Sequence, residues 1–276
     1  MWQPDGVGSL ARIGLLVPHF DPVPETEFKT LAPEGVSIHT ARLLLGTLDL
    51  EGNTASQRGP AAARTFAEPP QVDHAALLLA SIPVDVIVYA YTASSYICGS
   101  DGDAALKARL EARARGIPVV IPTEAFRLAL HAVGARRIAL IHPPWFSADL
   151  DKAGAAYFRS HGFDVAYHAP APFRSDFGEV SPEQIYDWAR GNVPASADAL
   201  VIGGNGMRAI GAIEALEQTL GLPVLSANQV AFWHAHRLAD LHAPVIHYGR
   251  ILAAGLPPIH EGERFIAAPP APPADT

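Results

Sequence analysis

Cysteine is nearly absent from this chain of 276 residues, which contains only Cys98. One thiol cannot close an internal disulfide or supply a multi-cysteine metal site. No stretch of eighteen apolar residues occurs, and the first residues lack a basic region followed by a long apolar run. We therefore expect no signal peptide and no membrane span, and we expect a cytoplasmic protein.

Positive charge is also scarce, since 20 Lys and Arg residues stand against 28 Asp and Glu residues, for a net charge of −8. The basic residues are scattered singly, so the electrostatic footprint of a nucleic-acid binder is missing. The motifs GxSxG, Walker A, HExxH and GxGxxG after a strand are absent as well. These absences favour a protein whose partner is a small-molecule substrate and that uses no cofactor and no metal. We also expect a homo-oligomer.

Short β-branched runs alternate with segments of helical periodicity along the chain. This alternation is typical of parallel strands joined by crossover helices. The predicted strands lie at 12–17, 84–90, 118–121, 137–141, 199–202 and 223–225. Helices are predicted over 102–115 and 209–220, where apolar residues recur at three- and four-residue intervals before a Gly-x-Pro break.

The second half of the chain repeats the first. Three blocks match in the same order, namely 12–18 with 137–143, 85–91 with 198–204, and 116–122 with 221–227. Three matches in register predict two copies of one α/β unit related by approximate twofold symmetry. We assign residues 1–122 to the first half, 123–250 to the second, with a possible crossing of the chain between halves, and 251–276 to a tail rich in Pro and Ala.

Ligands of parallel sheets bind beyond the carboxyl ends of the strands. The duplication therefore predicts two facing sets of loops around one cleft. Those loops are 19–25, 92–95, 142–147 and 205–208.

Hydroxyl and backbone groups in these loops suit the binding of an anion. Thr92, Ser94 and Ser95 follow a buried strand and open a predicted helix, so helix capping is the alternative interpretation. The glycine-rich segment 203–208 matches them in the second half and brings Gly204, Asn205, Gly206 and Arg208.

Three residues are candidates for moving a proton. Tyr91 stands at the end of a strand, and His19 and His142 stand at the ends of the first strand of each half, with Asp21 and Glu25 near His19. A purely structural role is the alternative for each of them. His19, Asp21 and His39 show no recognised metal-ligand spacing, and we interpret Cys98 as a core residue.

Five segments together resemble the aspartate/glutamate racemase superfamily, in particular its maleate cis-trans isomerase and arylmalonate decarboxylase branch. They are LVPHFDPVPETEF at 16–28, VYAYTASS at 88–95, GARRIALIHPP at 134–144, IGGNGMRAIGAIEALE at 202–217 and SANQVAFWHAHR at 226–237. The resemblance spans about residues 11–250. It implies two flavodoxin-like parallel-sheet halves with a site between them.

The resemblance also marks departures from the family pattern. Two facing cysteines carry the chemistry in the racemases and isomerases, and their positions are held here by Tyr91 and Gly204. Asp21 replaces the usual asparagine, which adds a negative charge to a site for anions. Pro144 replaces a carboxylate-binding tyrosine found in many relatives.

Three functional hypotheses follow. The first is a cysteine-independent lyase or isomerase of a small carboxylate or related carbonyl compound, with Tyr91 or His19 moving the proton. The second is a hydrolase or hydratase in which His19, Asp21 and His142 activate water, with or without a metal. The third is a binding protein for a small metabolite, without catalysis.

Overall fold

The computed structural model describes residues 5–48, 54–56, 59–243 and 245–253. The strands are β1 (Ala11–Pro18), β2 (Val36–Leu43), β3 (Gly46–Leu48), β4 (Thr54–Ser56), β5 (Val86–Tyr89), β6 (Val119–Val120), β7 (Arg137–His142), β8 (Asp164–Pro170), β9 (Ala199–Ile202) and β10 (Val224–Ser226). The helices are α1 (Val23–Leu31), α2 (Pro60–Ala67), α3 (Gln71–Leu79), α4 (Thr92–Arg113), α5 (Pro122–Ala132), α6 (Ala148–Ser160), α7 (Pro182–Asn192), α8 (Ile210–Leu220), α9 (Ala227–Leu238) and α10 (Arg250–Ala253).

Two parallel sheets of four strands form the centre of the structure. The first has the order β2-β1-β5-β6 and the second the order β8-β7-β9-β10, so the two sheets are equivalent strand by strand. The three repeated sequence blocks fall on β1 and β7, on β5 and β9, and on β6 and β10. The predicted α/β class with two flavodoxin-like, pseudosymmetric halves is therefore confirmed.

The helix boundaries follow from local sequence signals. Ser226 and Gln229 form a reciprocal capping box at the start of α9, and Ser181 and Gln184 do the same for α7. Helix α8 ends at Gly221, whose left-handed backbone (φ 71°) suits glycine. These local signals set the first residues of α7 and α9 and the last residue of α8.

One hydrophobic cluster contains residues of both halves, and a second cluster lies within the first half. Helix α9 follows the last strand of the second sheet, yet it packs on α1 and β5 of the first half and on α5, the helix that follows the last strand of the first sheet. Phe232 of α9 meets Phe28 of α1 edge to face, with ring centroids 5.5 Å apart. Because this helix crosses between the halves, the loops of the two sheets are held in a fixed relation.

The predicted tail at 251–276 falls mainly outside the described residues. Residues 251–253 end α10, where Ile251 and Leu252 are buried, and residues 254–276 are not described. Within the described part of the chain, no helix combines the length and the apolar character needed to cross a membrane.

Gly203 is expected to tolerate no side chain. A Cβ atom there would lie 2.7 Å from Cδ2 of His142 and 2.9 Å from the Tyr96 hydroxyl, both buried. We predict that Gly203→Ala lowers the free energy of unfolding by about 1–3 kcal/mol, because the core would be overpacked. Urea denaturation measures this, with Gly191→Ala as the control.

The control position lies in α7, and a Cβ atom there would meet nothing within 4 Å. Gly191→Ala should leave the stability unchanged or slightly raised, since alanine restricts the unfolded chain more than glycine. Equal effects of the two substitutions would contradict this account of the packing around His142.

Candidate active site

A small cavity lies where the loops of the two halves meet. Its volume is about 30 Å³, which is room for one or two water molecules. Residues from both halves line it, namely Phe20, Asp21, Gly59, Tyr91, Thr92, Ala93, Trp145, Phe146, Leu150, Phe177, Gly204, Asn205 and Gly206. Loops of the two halves, which the sequence predicts to face each other, therefore line one partly open cavity in the structure.

Three aromatic side chains from three loops pack together at the cavity. The ring of Phe177 lies 4.7 Å from that of Phe20 and 4.2 Å from that of Trp145, centroid to centroid. A Cβ atom at Gly206 would lie 2.4 Å from the Phe177 ring, so only glycine permits this approach. A ligand larger than water must displace some of these rings to enter.

Asp21 is the acidic group of the cavity. It is 1% exposed, and its Oδ1 accepts a hydrogen bond from the backbone N–H of Val23 at 3.0 Å. Burial raises the pKa of Asp21 to about 7, against the opposing effects of the Val23 N–H and of the Arg42 charge. The carboxyl group therefore changes its charge near neutral pH, and in its protonated form it does not repel an anion.

Tyr91 lies beside Asp21 in the cavity wall. Its backbone is extended (φ −152°) at the N-cap of α4, and its ring packs on Phe66 with centroids 4.5 Å apart. Burial, and then the charge of Asp21, raise the pKa of the Tyr91 phenol. The phenol consequently keeps its proton at physiological pH and is available to donate a hydrogen bond.

A chain of buried hydrogen bonds joins the two halves behind the cavity. The N–H of Thr92 donates to Oδ1 of Asn205 at 2.9 Å, and Nδ2 of Asn205 donates to Oδ1 of Asn228 at 2.8 Å. Nδ2 of Asn228 donates to Oε2 of Glu27 at 2.7 Å, and Oε1 of Glu27 accepts from the N–H of Ile210 at 3.0 Å. This chain fixes Thr92 and Asn205 against each other across the cavity.

Glu27 and Asn228 were missed as site residues by the sequence reasoning. Burial raises the pKa of Glu27 to about 7, although the N–H of Ile210 and the Asn228 amide oppose this. A signal was present in the sequence, since Glu27 lies four residues from both Val23 and Leu31 on the buried stripe of α1. An acid on an apolar helix stripe indicates a buried polar network.

Gly204 adopts a conformation that excludes a side chain. Its φ is +85°, and a Cβ atom there would lie 2.3 Å from Cγ of Pro143. The position that the family resemblance links to a cysteine is therefore shaped for glycine in this chain.

His142 does not line the cavity. It is fully buried, with Nδ1 2.7 Å from Oδ1 of Asp151, whose other oxygen lies 2.7 Å from Nδ1 of His168. The ring of Phe146 stacks on its imidazole with centroids 5.1 Å apart and stands on the cavity side. Burial lowers the pKa of His142, against the effect of Asp151, so the imidazole is neutral at physiological pH.

His19 also lies outside the cavity lining. Its Nδ1 accepts from the N–H of Leu45 at 3.1 Å, which holds the ring against the segment after β2. The structure thus brings Tyr91 and Asp21 together, and it does not bring either predicted histidine to them.

Four predicted binding residues have other surroundings. Glu25 pairs with Lys29 at 2.7 Å and with Arg42 at 2.8 Å near the surface. The Ser94 hydroxyl accepts from the Tyr89 hydroxyl and donates to the Tyr91 carbonyl, each at 3.0 Å. Ser95 is buried near Asp103, and Arg208 is exposed on a separate groove. Thr92, Gly204, Asn205 and Gly206 line the cavity as expected.

Cys98 stands away from the cavity lining. It is half-buried in α4, one residue before the kink at Gly99. Burial raises the pKa of its thiol, so the nucleophilic thiolate is disfavoured.

The fold and the cavity between its halves define a class of pseudosymmetric α/β proteins, and comparison with known proteins identifies the family. The family model of arylmalonate decarboxylase matches residues 64–252. This chain belongs to that family.

Similarity to individual proteins covers nearly the whole chain. This chain is 26% identical to maleate isomerase of Nocardia farcinica over 254 residues, which are 88% of this chain and 96% of that protein. Identity to maleate isomerase of Geobacillus stearothermophilus is 23%, covering 88% of this chain and 97% of that protein.

Solved structures agree with the fold. The Nocardia farcinica maleate cis-trans isomerase bound to TRIS superposes with a TM-score of 0.75 at 26% identity, covering 88% of this chain and 98% of that one. The maleate isomerase Iso of Pseudomonas putida S16 gives a TM-score of 0.78 at 22% identity, covering 89% and 99%. A variant of the Nocardia enzyme carries a covalently bound succinylcysteine intermediate.

Removing the Asn228 amide should break the bridge between the halves. We predict that Asn228→Ala lowers the free energy of unfolding by about 1–3 kcal/mol, because it leaves Glu27 and Asn205 with unpaired buried groups. Thermal unfolding followed by circular dichroism gives the comparison with wild type.

Asn192→Ala is the matched control for this substitution, since the Asn192 amide donates at 2.8 Å to the Trp188 carbonyl on the exposed surface of α7. Its effect should stay within about 0.5 kcal/mol. A loss for Asn228→Ala no larger than that of the control would contradict the proposed bridge.

Proposed function

We propose that this protein is an isomerase or lyase of a small carboxylate, and that it moves a proton in the cavity with oxygen groups instead of thiols. Membership of the arylmalonate decarboxylase family and similarity to maleate isomerases support the reaction class. The observation that carries the finer proposal is Asp21, a buried carboxyl group with a pKa of about 7 that lines the cavity beside Tyr91.

Asp21 suits general acid and base catalysis because its pKa lies near the working pH. In a decarboxylation, the bond from the α-carbon to one carboxylate breaks, CO₂ leaves, and the electron pair of that bond remains on the α-carbon as an enolate with the neighbouring carbonyl group. The acid form of Asp21 then donates its proton to that carbon and regains one from solvent. In an isomerisation by proton transfer, ionised Asp21 instead removes a proton from a tetrahedral α-carbon, the electron pair of the C–H bond forms the enolate, and solvent returns a proton to that carbon.

Tyr91 and the glycine-rich loop have the complementary role. The Tyr91 hydroxyl keeps its proton and donates a hydrogen bond to the oxygen on which negative charge develops. Thr92 and the backbone of Gly204–Gly206 hold the carboxylate, and the rings of Phe20, Trp145 and Phe177 exclude water once it is bound.

Two features favour a reaction without sulfur. The single cysteine of the chain lies outside the cavity lining, and the backbone at Gly204 and the ring of Pro143 leave no room for a side chain at that position. The succinylcysteine intermediate of the Nocardia relative has no counterpart among the residues that line this cavity.

The alternative of a hydrolase or hydratase needs His19, Asp21 and His142 to act together. Only Asp21 of these three lines the cavity, so the structure favours the first proposal over this one. A purely binding protein is distinguished from an enzyme by the assay that follows.

Asp21→Asn should abolish the pH dependence of turnover near neutrality. Small carboxylates, including phenylmalonate for decarboxylation and 2-phenylpropionate for isomerisation at a tetrahedral α-carbon, are incubated with the protein in D₂O and followed by proton NMR for product and for deuterium at carbon. Decarboxylation by wild type should slow as the pH rises through 7, because the acid form of Asp21 is lost. Isomerisation by proton abstraction should instead speed up over the same range.

In Asp21→Asn the turnover should fall by about 100-fold or more, as expected for a general acid or base. Asp149→Asn, an exposed acid in the first turn of α6, is the control and should behave as wild type. Full activity of Asp21→Asn removes Asp21 from the mechanism. Tight binding across the panel with neither turnover nor deuterium uptake would instead support the binding-protein hypothesis.

Cys98→Ala yields a protein without any cysteine and should keep wild-type kcat and KM. The reason is that its thiol does not face the cavity. The same steady-state assay, before and after iodoacetamide treatment of wild type, is the measurement. A loss of kcat by more than tenfold in a variant whose circular dichroism and melting temperature are unchanged would refute the sulfur-free mechanism.

A further inference from the structure

A second and larger cavity lies between the halves, on the far side of Glu27 from the first. This groove, which we call the α1–α8 groove, has a volume of about 410 Å³ and is lined by Pro22, Val23, Thr26, Arg208, Ile210 and Tyr248, among others. Its volume falls in the range of about 300–1,000 Å³ that is usual for small-molecule sites. The first cavity, at about 30 Å³, is far smaller.

The walls of the groove are mainly apolar. Pro22 and Val23 at the start of α1 face Pro182 and Ile210 at the starts of α7 and α8. Such walls suit a compact hydrocarbon or aromatic body, because its burial removes apolar surface from water on both sides.

Among the described residues that line the groove, Arg208 is the one cation, and its side chain is exposed. Its guanidinium group forms no hydrogen bond or ion pair with another residue of the described part of the chain. Its charge is one of the causes that lower the pKa of the exposed Glu183. An arginine placed in this way offers several N–H donors to a planar carboxylate.

The inner wall is fixed and acidic. Glu27 lines the groove, and its two oxygens accept from the N–H of Ile210 at 3.0 Å and from the Asn228 amide at 2.7 Å. Because its hydrogen bonds come from the protein, Glu27 needs no cation from a ligand. It also repels a carboxylate in its ionised form, so the negative end of a ligand should point outward to Arg208.

We propose that the α1–α8 groove binds a small carboxylate with an apolar body, whose carboxylate pairs with Arg208 while the apolar part lies against Val23 and Ile210. This site is distinct from the cavity that holds Asp21 and Tyr91. Its existence does not depend on the proposed function, because binding alone is tested.

Isothermal titration calorimetry with benzoate tests the proposal on the full chain. Wild type should bind one benzoate in the groove, and Arg208→Gln should weaken that binding by about tenfold or more, as expected for loss of a charged hydrogen-bond donor. Benzamide has the same shape as benzoate without the charge, so its affinity for wild type should be lower by the same factor. Arg190→Gln, an exposed arginine of α7, is the matched control and should leave the affinity unchanged.

A second variant, Thr26→Phe, should fill the groove and also abolish binding, which keeps the test valid if Arg208→Gln is poorly folded. Asp21→Asn removes the acid of the smaller cavity, keeps an amide oxygen that can accept from the Val23 N–H, and should leave benzoate binding intact. The proposal is overturned if wild type binds no benzoate, or if both groove variants bind it as wild type does. It is also overturned if benzoate binding is lost in Asp21→Asn and kept in Arg208→Gln.

Discussion

The hydrogen-bond chain from Thr92 through Asn205 and Asn228 to Glu27 is the interaction on which the cavity depends. Each link is buried, and the chain joins α4 of the first half to the β9–α8 loop of the second, with α1 and α9 beyond it. An unpaired amide or carboxylate in this place costs far more than a surface contact, so the two halves are held in one arrangement. The same residues separate the small cavity from the α1–α8 groove.

Low solvent access sets the chemistry of the cavity. Burial brings the pKa of Asp21 to about 7 and keeps the neighbouring phenol of Tyr91 protonated. For this reason we propose that Asp21 exchanges a proton and that Tyr91 donates a hydrogen bond. The backbone of Gly204 and the ring of Pro143 leave no room for a side chain where the family resemblance expects a thiol. These features support the proposal that an oxygen acid in a buried cavity moves the proton.

Much of the fold could be predicted from the sequence, because strand runs and glycine breaks are local signals and the three repeated blocks fix the pairing of the halves. Tyr91, Thr92 and Asn205 line the cavity because the ends of parallel strands share one edge, and their roles in binding and catalysis stay predictions. His142 lies outside the lining: the repeat pairs it with Val17, a core residue, and that pairing indicates that its side chain points inward. The partnership of Glu27 with Asn228 spans 201 residues, and no local pattern could reveal it.

The most direct test of this account is a crystal structure of the protein with a bound small carboxylate such as phenylmalonate. The account predicts the ligand between residues 91 and 204, with its carboxylate on Thr92 and the Gly204–Gly206 backbone, its α-carbon facing Asp21, and the Phe177 ring displaced. A ligand bound elsewhere, with this cavity still closed and Asp21 remote from the α-carbon, would contradict it.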